Sequence, residues 1–461
     1  MKKQLFITFT LLGMSISGYT QTIFSSNSSM STYFICPDNI PMSYGYNQSG
    51  QLGDGTIISR STPKQVSGMF DVIKIAAGSN HSLFLKNDGS VWSTGRNDDG
   101  QLGDGTNVNK LTPTLVVGLS DIIDIAAGTS SSLFLKNDGN VWVTGYAIDG
   151  NIPIQLSGIS GVIAMAVSWD HFIFLKNDGT VWTSGGNHYG QLGVGTTTYV
   201  PYHMPVKVIG ISGVTKIAAG QYHSLFLKND GSVWGCGDNH TGQMGDGTSG
   251  YNNKKLTAVQ INGISDIVDI TAGLGSSLFL NNQGEVWGCG YTGAILGSGT
   301  YADSYIPVQA IGLSEIVEIE AGTNHSHFIK NDGSVFSSGV NEFGQLGGPV
   351  GPNTNIPIQV PVNTKCLELS IDDEDNYFSG MSLYPNPASN IIVLQNTVGN
   401  KINQNSTVKI INSTGQILQT TNESYWLDNQ IILDISNLSS GIYFIQFIDG
   451  INERHIKFVK E

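Results

Sequence analysis

The segment "AAGSNHSLFLKNDGSVWSTGRNDDGQLGDGT" at residues 76–106 is the key to the fold, because versions of it recur along the chain. Copies of its first half begin at residues 126, 166, 218, 271 and 320, and a divergent copy covers 31–56. One position of the motif is aromatic in all copies but the divergent one: Met42, Trp92, Trp142, Trp182, Trp234, Trp287 and Phe336. These seven positions indicate a repeat architecture of seven units.

Each unit contains the same succession of short segments. A run such as "TPKQV" is followed by "DVIKIAAG", a two-residue turn, "HSLFLK", an Asn-Asp-Gly turn, "VWSTG" and a glycine-rich loop. The segments are rich in β-branched and aromatic residues and are separated by Asn, Asp and Gly, which is typical of strands joined by tight turns. Four strands per unit, the first being the "TPKQV" run, predict an all-β fold, a seven-bladed β-propeller.

The repeated motif resembles the repeat of the regulator of chromosome condensation family. The resemblance implies a seven-bladed propeller over residues 22–370. Members of that family include a nuclear nucleotide-exchange factor that binds chromatin and a secreted bacterial inhibitor of β-lactamases. The resemblance therefore implies the fold and leaves the function open.

Both chain ends of the repeat region are predicted to build one blade together. "NIPIQV" at 355–360 matches the run around Pro63, and "CLELS" at 366–370 matches residues 72–76. The C-terminal end thus offers the first two strands of a blade, and residues 31–45 offer the last two. A ring closed in this way leaves no open sheet edge.

The same alignment of repeat copies predicts which cysteines are bonded and which are free. Cys36 and Cys366 are nearly opposite each other in the predicted closing blade, and we predict a disulfide between them. The alternative is two free buried thiols, since cysteine also packs as a small hydrophobic residue. Cys236 and Cys289 occupy equal positions in neighbouring blades and are predicted to be free packing residues.

The N-terminus is predicted to be a secretory signal peptide over residues 1–21. Two lysines precede an apolar run that is too short to span a bilayer. No later apolar run is long enough for a transmembrane helix, so we expect no transmembrane segment in the mature chain.

The C-terminal part is predicted to be a separate module. An acidic linker covers residues 371–380, and alternating apolar residues after it predict a small β-sandwich over 381–461. "YPNPAS" (384–389), "GIYFIQF" (441–447) and "IKFVKE" (456–461) resemble the C-terminal sorting domain of type IX secretion substrates. That resemblance implies the type IX machinery as a partner, passage through the periplasm, and release or outer-membrane surface attachment. The alternative is an ordinary sandwich that stays attached and binds something.

The net charge of −14 excludes some partners. Nucleic acid and anionic membrane surfaces attract proteins rich in Lys and Arg, so neither is expected to bind this chain. No cofactor is expected.

One face of the propeller is expected to carry both the two-residue turns and the glycine-rich loops. The loop after Trp142 is shorter than its counterparts and should leave a notch flanked by Tyr146 and Ile148. Trp169 and Asp170 form the next turn, and we predict that a partner binds around Trp169. The other candidate contact residues lie at equivalent turns: Asn80, Gln221, Tyr222 and Asn324. The alternative is that Trp169 folds over its own blade.

Two sets of repeated polar residues are interpreted as scaffold. The histidines at one repeat position, His81, His171, His223 and His325, would lie too far apart to share a metal ion. The loop aspartates, Asp54, Asp104 and Asp246, lack the alternating spacing of a calcium loop, and other copies replace them. No metal site is predicted.

The sequence predicts an exported or cell-surface, non-catalytic propeller that binds a protein or a surface glycan. The alternative is a secreted enzyme whose site is assembled at the mouth of the propeller channel, for which no catalytic residues can be named. A third interpretation, nucleotide exchange on an intracellular GTPase, conflicts with the predicted signal peptide.

Overall fold

The computed structural model describes residues 22–24, 29–36, 39–292, 295–360, 381–384, 388–396, 407–412, 416–421, 430–449 and 452–460. The chain divides into two compact units, residues 1–366 and 367–461. The predicted signal peptide and acidic linker lie outside the described residues. Within them, no helix is long and apolar enough to cross a membrane.

The described part of the first unit is built from strands. Their bounds are β1 Thr22–Phe24, β2 Ser31–Ile35, β3 Pro41–Gly45, β4 Arg60–Gln65, β5 Val72–Ala77, β6 His81–Lys86, β7 Val91–Gly95, β8 Lys110–Leu115, β9 Ile122–Ala127, β10 Ser131–Lys136, β11 Val141–Gly145, β12 Gly150–Gln155, β13 Val162–Val167, β14 His171–Lys176, β15 Val181–Asn187, β16 Thr198–Lys207, β17 Val214–Ala219, β18 His223–Lys228, β19 Val233–Gly237, β20 Lys255–Ile261, β21 Ile267–Ala272, β22 Ser276–Asn281, β23 Val286–Gly290, β24 Ser304–Gln309, β25 Ile316–Ala321, β26 His325–Lys330, β27 Val335–Gly339 and β28 Thr354–Val360.

These strands form seven four-stranded antiparallel sheets within the described residues 22–360, each made of four consecutive strands. The all-β propeller prediction is confirmed, and the sheets agree with the predicted seven blades. The Asn-Asp-Gly segment makes the predicted hairpin turn: Gly89 has a φ of 78°. Asp88 Oδ1 accepts hydrogen bonds from the N–H and the hydroxyl of Ser90 at 2.9 and 2.6 Å.

The position of the "TPKQV" run within a blade was predicted wrongly. It is not the first strand of its own blade but the outermost strand of the preceding one, since Gln65 pairs with Met42. In the same way β28 pairs with β27 of the last blade. The periodicity of a strand does not say which neighbour it hydrogen-bonds to, and here the strand pairs back across the glycine-rich loop.

The predicted closing blade is tested only in part. Strand β28 pairs with β27 and is not the first strand of that blade, and β1 and β3 flank β2. Residues 366–370 lie outside the described residues, so their place in the closing blade stays a prediction. The first and last blades share one apolar cluster. It contains Phe34, Cys36, Ile40, Met42, Tyr44, Ile329, Val335 and Val360. We call this contact the seam.

The cysteines behave in two ways. Cys36 is buried and disulfide-bonded. Cys366 lies outside the described residues, so the Cys36–Cys366 pairing stays a prediction. Cys236 and Cys289 are buried and free, as predicted, and each thiol donates a hydrogen bond to a loop carbonyl.

The second strand of each blade forms the core between neighbouring blades. In β6, β10, β14, β18 and β26 the first five residues are all buried, so both faces of the strand are covered. Phe84 packs against the blade before its own, and Leu83 and Leu85 pack against the blade after it. Each blade is thus held between two others.

The second unit contains two sheets. Its strands are β29 Met381–Tyr384, β30 Ile391–Asn396, β31 Thr407–Asn412, β32 Ile417–Thr421, β33 Gln430–Asp434, β34 Gly441–Asp449 and β35 Asn452–Lys460. Sheet orders β29-β30-β33 and β32-β31-β34-β35 enclose a common core that includes Ile392, Leu394, Val408 and Phe447. This is the predicted β-sandwich.

Candidate partner-binding face

The two-residue turns of the blades surround a common cavity, as the chain direction predicts. The cavity measures about 490 Å³. The turn residues that line it are Met30, Ser79, Asn80, Thr129, Trp169, Gln221, Leu274 and Thr323. Tyr46, Glu342 and Phe343 from the glycine-rich loops complete the lining, so turns and loops share one face. We call this surface the loop face and its cavity the central cavity.

The predicted notch is present on the loop face. The segment between β11 and β12 is only 146–149, whereas β7 and β8 are joined by 96–109. The space that the short segment leaves is a second cavity of about 570 Å³. Its lining includes Leu133, Val143, Tyr146, Ile148, Asp149, Trp169, Asp170, Phe172 and His188. Four of the predicted contact residues therefore meet there: Tyr146, Ile148, Trp169 and Asp170.

Trp169 lines both cavities and is 46% exposed. Its ring centroid lies 5.6 Å from that of Tyr222 in the next blade, and Tyr222 lies 4.5 Å from Tyr189. Lys254 Nζ lies 4.9 Å from the centroid of the Tyr189 ring. The aromatic side chains thus form a continuous row across two blades, and Trp169 does not simply fold over its own blade.

The remaining predicted contact residues divide between the central cavity, the aromatic row, which contains Tyr222, and the interior. Asn80 and Gln221 line the central cavity. Asn324 is not among its lining residues, although its neighbour Thr323 is. The side-chain oxygen of Asn324 is buried without a hydrogen-bond partner.

Sequence reasoning missed several residues of the loop face. Asp149, Tyr189, Glu342 and Phe343 all come from the variable loops, where exposed acids and aromatic residues were the available signal. Phe343 packs against Tyr46 at a ring distance of 4.9 Å. These residues follow no repeat position, so the motif alone could not bring them together.

The lining of the two cavities is acidic. Asp149, Asp170 and Glu342 contribute carboxylates, and none of the described lining residues is lysine or arginine. Asp170 accepts a hydrogen bond from Gln191 Nε2 at 3.2 Å, and its side chain is 34% exposed. Burial, together with the Asp170 carboxylate, raises the pKa of Tyr222 to about 12.

The repeated histidines are structural, as predicted. His81 Nε2 lies 2.9 Å from Ser132 Oγ, and His171 and His223 reach the equivalent serines of their next blades at 3.1 Å. The Ser132 hydroxyl donates to the Gln101 carbonyl, so His81 Nε2 is the donor toward Ser132. Burial, and more weakly Arg96, lowers the pKa of His81 to about 3. No group of ligands for a metal ion occurs among the described residues.

The loop aspartates are scaffold as well. Asp54 contacts Arg60, Asp104 contacts Lys110 at 3.2 Å, and Asp246 contacts Lys255. Each cation lies opposite the last glycine of its "VWSTG" strand, at Gly45, Gly95 and Gly237. In the copies that carry Val194, Ser298 and Gly348 instead of aspartate, the residues opposite that glycine are Tyr202, Ser304 and Thr354. Acid and base therefore occur together or not at all, which is the pattern of an ion pair within the scaffold.

The propeller axis contains a third cavity, of about 320 Å³, which we call the channel cavity. It is lined by the first strands of six blades, β5, β9, β13, β17, β21 and β25. It holds three carboxylates, Asp269, Glu318 and Glu320, with Lys74. Lys216 Nζ contacts Asp269 at 2.8 Å, and Lys74 contacts Asp124. Burial, and then Asp269, raises the pKa of Glu318 to about 7, and burial also raises that of Glu320 well above its usual value.

The four-stranded sheets of the described residues, followed by a sandwich, define a repeat propeller with an appended module. The family model described as RCC1-like domain matches residues 40–373, and the one described as secretion system C-terminal sorting domain matches 382–461. The chain belongs to the RCC1-like family, and its tail is a type IX sorting domain. The predicted resemblances are thereby confirmed.

Two curated relatives match over short segments of the chain. The X-linked retinitis pigmentosa GTPase regulator homolog of Caenorhabditis elegans is 36% identical over 23% of this chain and 8% of its own length. The mitochondrial RCC1 domain-containing protein RUG3 of Arabidopsis thaliana is 37% identical over 18% of this chain and 19% of its own length. The chain thus covers less than a quarter of these relatives.

Two solved structures support the fold. Prp20p of Saccharomyces cerevisiae has a TM-score of 0.63 and 20% identity, covering 80% of this chain and 89% of that chain. Human WBSCR16 has a TM-score of 0.62 and 23% identity, covering 69% of this chain and 93% of that chain. At these identities the likeness concerns the fold alone.

Proposed function

We propose that this protein is an exported, non-catalytic propeller that binds a protein partner on its loop face, centred on Trp169. The observation that carries the proposal is that Trp169 is half-exposed and lines two adjoining cavities. Large aromatic side chains in such positions supply much of the binding energy in protein interfaces. The partner contacts would include Tyr146, Ile148 and Tyr222 around it.

A protein fits the notch better than a surface glycan does. Leu133, Val143 and Phe172 in its floor are at most 8% exposed, and Ile148 and Leu156 extend the apolar surface. An apolar floor of this kind gains free energy when apolar side chains cover it, whereas sugar hydroxyls would lose hydrogen bonds to water there. The yeast protein Prp20p has binding properties toward Gsp1p and histones. From that protein we carry over only the general property of binding other proteins.

The sorting domain supports a secreted or cell-surface location. We extend this to a route in which the signal peptide directs the chain to the periplasm and the tail is read by the type IX machinery. Deletion of residues 382–461 should then leave the propeller in the periplasmic fraction, while the full chain reaches the medium or the cell surface. Cytoplasmic recovery of the full chain would contradict the route.

Site-directed photo-crosslinking tests the binding proposal. A photoreactive phenylalanine at Tyr146 of the full chain should yield a crosslinked protein at the surface of the producing cells, and the same probe at Asp178 on the opposite face should not. Trp169→Ala should then weaken the identified complex by about 2 kcal/mol or more. The matched control is Tyr301→Ala, since Tyr301 is an exposed aromatic residue on another loop. Equal losses in both variants, or none in Trp169→Ala, would overturn the proposal.

A second candidate is a secreted enzyme, favoured by the three carboxylates of the channel cavity. Glu318, with a pKa raised to about 7, has the property of a general acid, and Asp269 is a second carboxylate of the same cavity. Asp269 is engaged by Lys216, which favours a structural role. A hydrolytic activity on chromogenic glycosides that Glu318→Gln abolishes would establish the enzyme. Nucleotide exchange inside the cell is not proposed, because the sorting domain directs the chain outwards.

A further inference from the structure

The notch combines an apolar floor with an acidic rim. Its floor is formed by side chains such as Leu133 and Phe172, which are 0% and 8% exposed. Asp149 is exposed, and Asp170 is 34% exposed at the same cavity, where Tyr146 presents a ring that is 76% exposed. A ligand that fits must therefore be apolar along its length and polar or charged at its end.

The charge of the rim is not neutralised by the protein itself. Among the described residues, neither Asp149 nor Asp170 has a lysine or arginine within ion-pair distance, and Asp170 lies 3.7 Å from His171 Nδ1. The basic side chains of the loop face are engaged elsewhere. Arg60, Arg96, Lys110 and Lys255 contact aspartates of their own loops, and Lys254 lies over the Tyr189 ring.

We propose that the notch receives a lysine or arginine side chain of the protein partner, an inference that rests on the proposed function. The methylene stem would pack on the apolar floor, and the cationic head would lie at the rim between the carboxylates of Asp149 and Asp170. Trp169 and Tyr146 offer ring faces to the same cation. The net charge of −14 attracts a basic partner in the same sense.

Fluorine NMR of the full chain labelled with 5-fluorotryptophan tests this directly. The chain has seven tryptophans, and the Trp169 signal is identified by its loss in Trp169→Phe. The probes are the short peptides acetyl-Gly-Arg-Gly-amide and acetyl-Gly-Lys-Gly-amide. Their neutral counterparts contain citrulline and acetyl-lysine, which keep the stem and remove the charge. A saturable shift of the Trp169 signal with a cationic peptide, and none with its neutral counterpart, is the expected result.

Two variants test the rim. Asp149→Asn combined with Asp170→Asn should weaken peptide binding by about tenfold or more, because the cation loses both carboxylates. Asp230→Asn on the opposite face is the matched control and should bind as the parent does. If the arginine peptide shifts the signal at lower concentration than the lysine peptide, the notch prefers a guanidinium group. The reverse order indicates a preference for an ammonium group.

Equal shifts with charged and neutral peptides, or no Trp169 shift with either cationic peptide, would overturn the inference. The proposed function fails separately: its failure is an unchanged affinity of the crosslinked partner for Trp169→Ala. A partner that needs Trp169 but tolerates the double Asp→Asn variant would leave the function standing and refute the cation pocket.

Discussion

Thr32 Oγ1 lies 3.0 Å from His327 Nε2, although the two residues are 295 positions apart in the chain. The same hydroxyl lies 3.3 Å from His325 Nε2 and donates to the Gln345 carbonyl at 3.0 Å. All these side chains are buried. One hydroxyl of the first blade thus satisfies two histidines of the last, and the seam contains a polar contact as well as an apolar cluster.

Replacement of Thr32 by valine should destabilise the propeller by roughly 1–3 kcal/mol, because both histidine N–H groups and a carbonyl lose a buried partner. The measurement is the free energy of unfolding in denaturant. Thr257→Val, at an exposed position of an outer strand, is the matched control and should change it little. Equal effects of the two substitutions would contradict a special role of the seam hydroxyl.

Removal of Glu318 should change the pH dependence of stability. Its folded pKa of about 7 exceeds the usual carboxyl value, so the folded state holds a proton that the unfolded state releases. The contribution of Glu318 to stability should therefore be complete below about pH 4.5 and fall by about 3 kcal/mol as pH rises through about 7. Glu318→Gln should flatten that decline in unfolding curves recorded across the range. An unchanged slope would show that Glu318 ionises normally.

The buried histidines should act in the opposite direction. Burial lowers the pKa of His81 to about 3, so its contribution is complete above the unfolded pKa of about 6.5 and is lost as pH falls toward 3. His81→Ser, which copies the residue of the third and sixth blades at this position, should reduce the loss of stability on acidification. The control is His240→Ser at an exposed loop position. A steeper acid loss in His81→Ser would be inconsistent with a neutral buried histidine.

The loop ion pairs can be tested by comparing a variant that removes one partner with a variant that removes both. Lys110→Ser leaves the Asp104 carboxylate, 5% exposed, without its cation and should cost about 1–2 kcal/mol. Asp104→Ser with Lys110→Ser reproduces the combination of Ser298 and Ser304 in the sixth blade and should recover part of that loss. Thermal unfolding of the single and double variants measures the coupling. Strict additivity of the two substitutions would refute the pairing.

The predicted Cys36–Cys366 disulfide can be checked by mass. Reduction of one disulfide adds about 2 Da to the intact chain. Non-reducing peptide mapping should recover the two cysteines in one fragment, and Cys366→Ser should leave Cys36 reactive toward a thiol reagent after unfolding. Absence of the mass shift in the oxidised, exported protein would end the prediction.

Much of the fold could be predicted from the motif because each local choice repeats. Gly89 and its equivalents are glycine because the turn needs a positive φ, and "HSLFLK" is apolar because neighbouring blades cover both of its faces. The notch was predictable for a similar reason, since loop length can be counted directly between Trp142 and the next strand. In contrast, the blade to which the "TPKQV" run belongs could not be predicted. The periodicity of a strand is the same whichever neighbouring strand it pairs with across a long loop.

The repeat, its turns, the missing loop after Trp142 and the separate sorting tail all follow from the order of residues alone. Three-dimensional packing was needed to show that Asp149, Trp169 and Asp170 line one cavity, that Tyr189 extends the aromatic row, and that Thr32 meets His327 at the seam. The physical reason is the same in each case. Strand hydrogen bonds and turns act between near neighbours in the chain, whereas packing around the ring brings together side chains whose identity no repeat position prescribes.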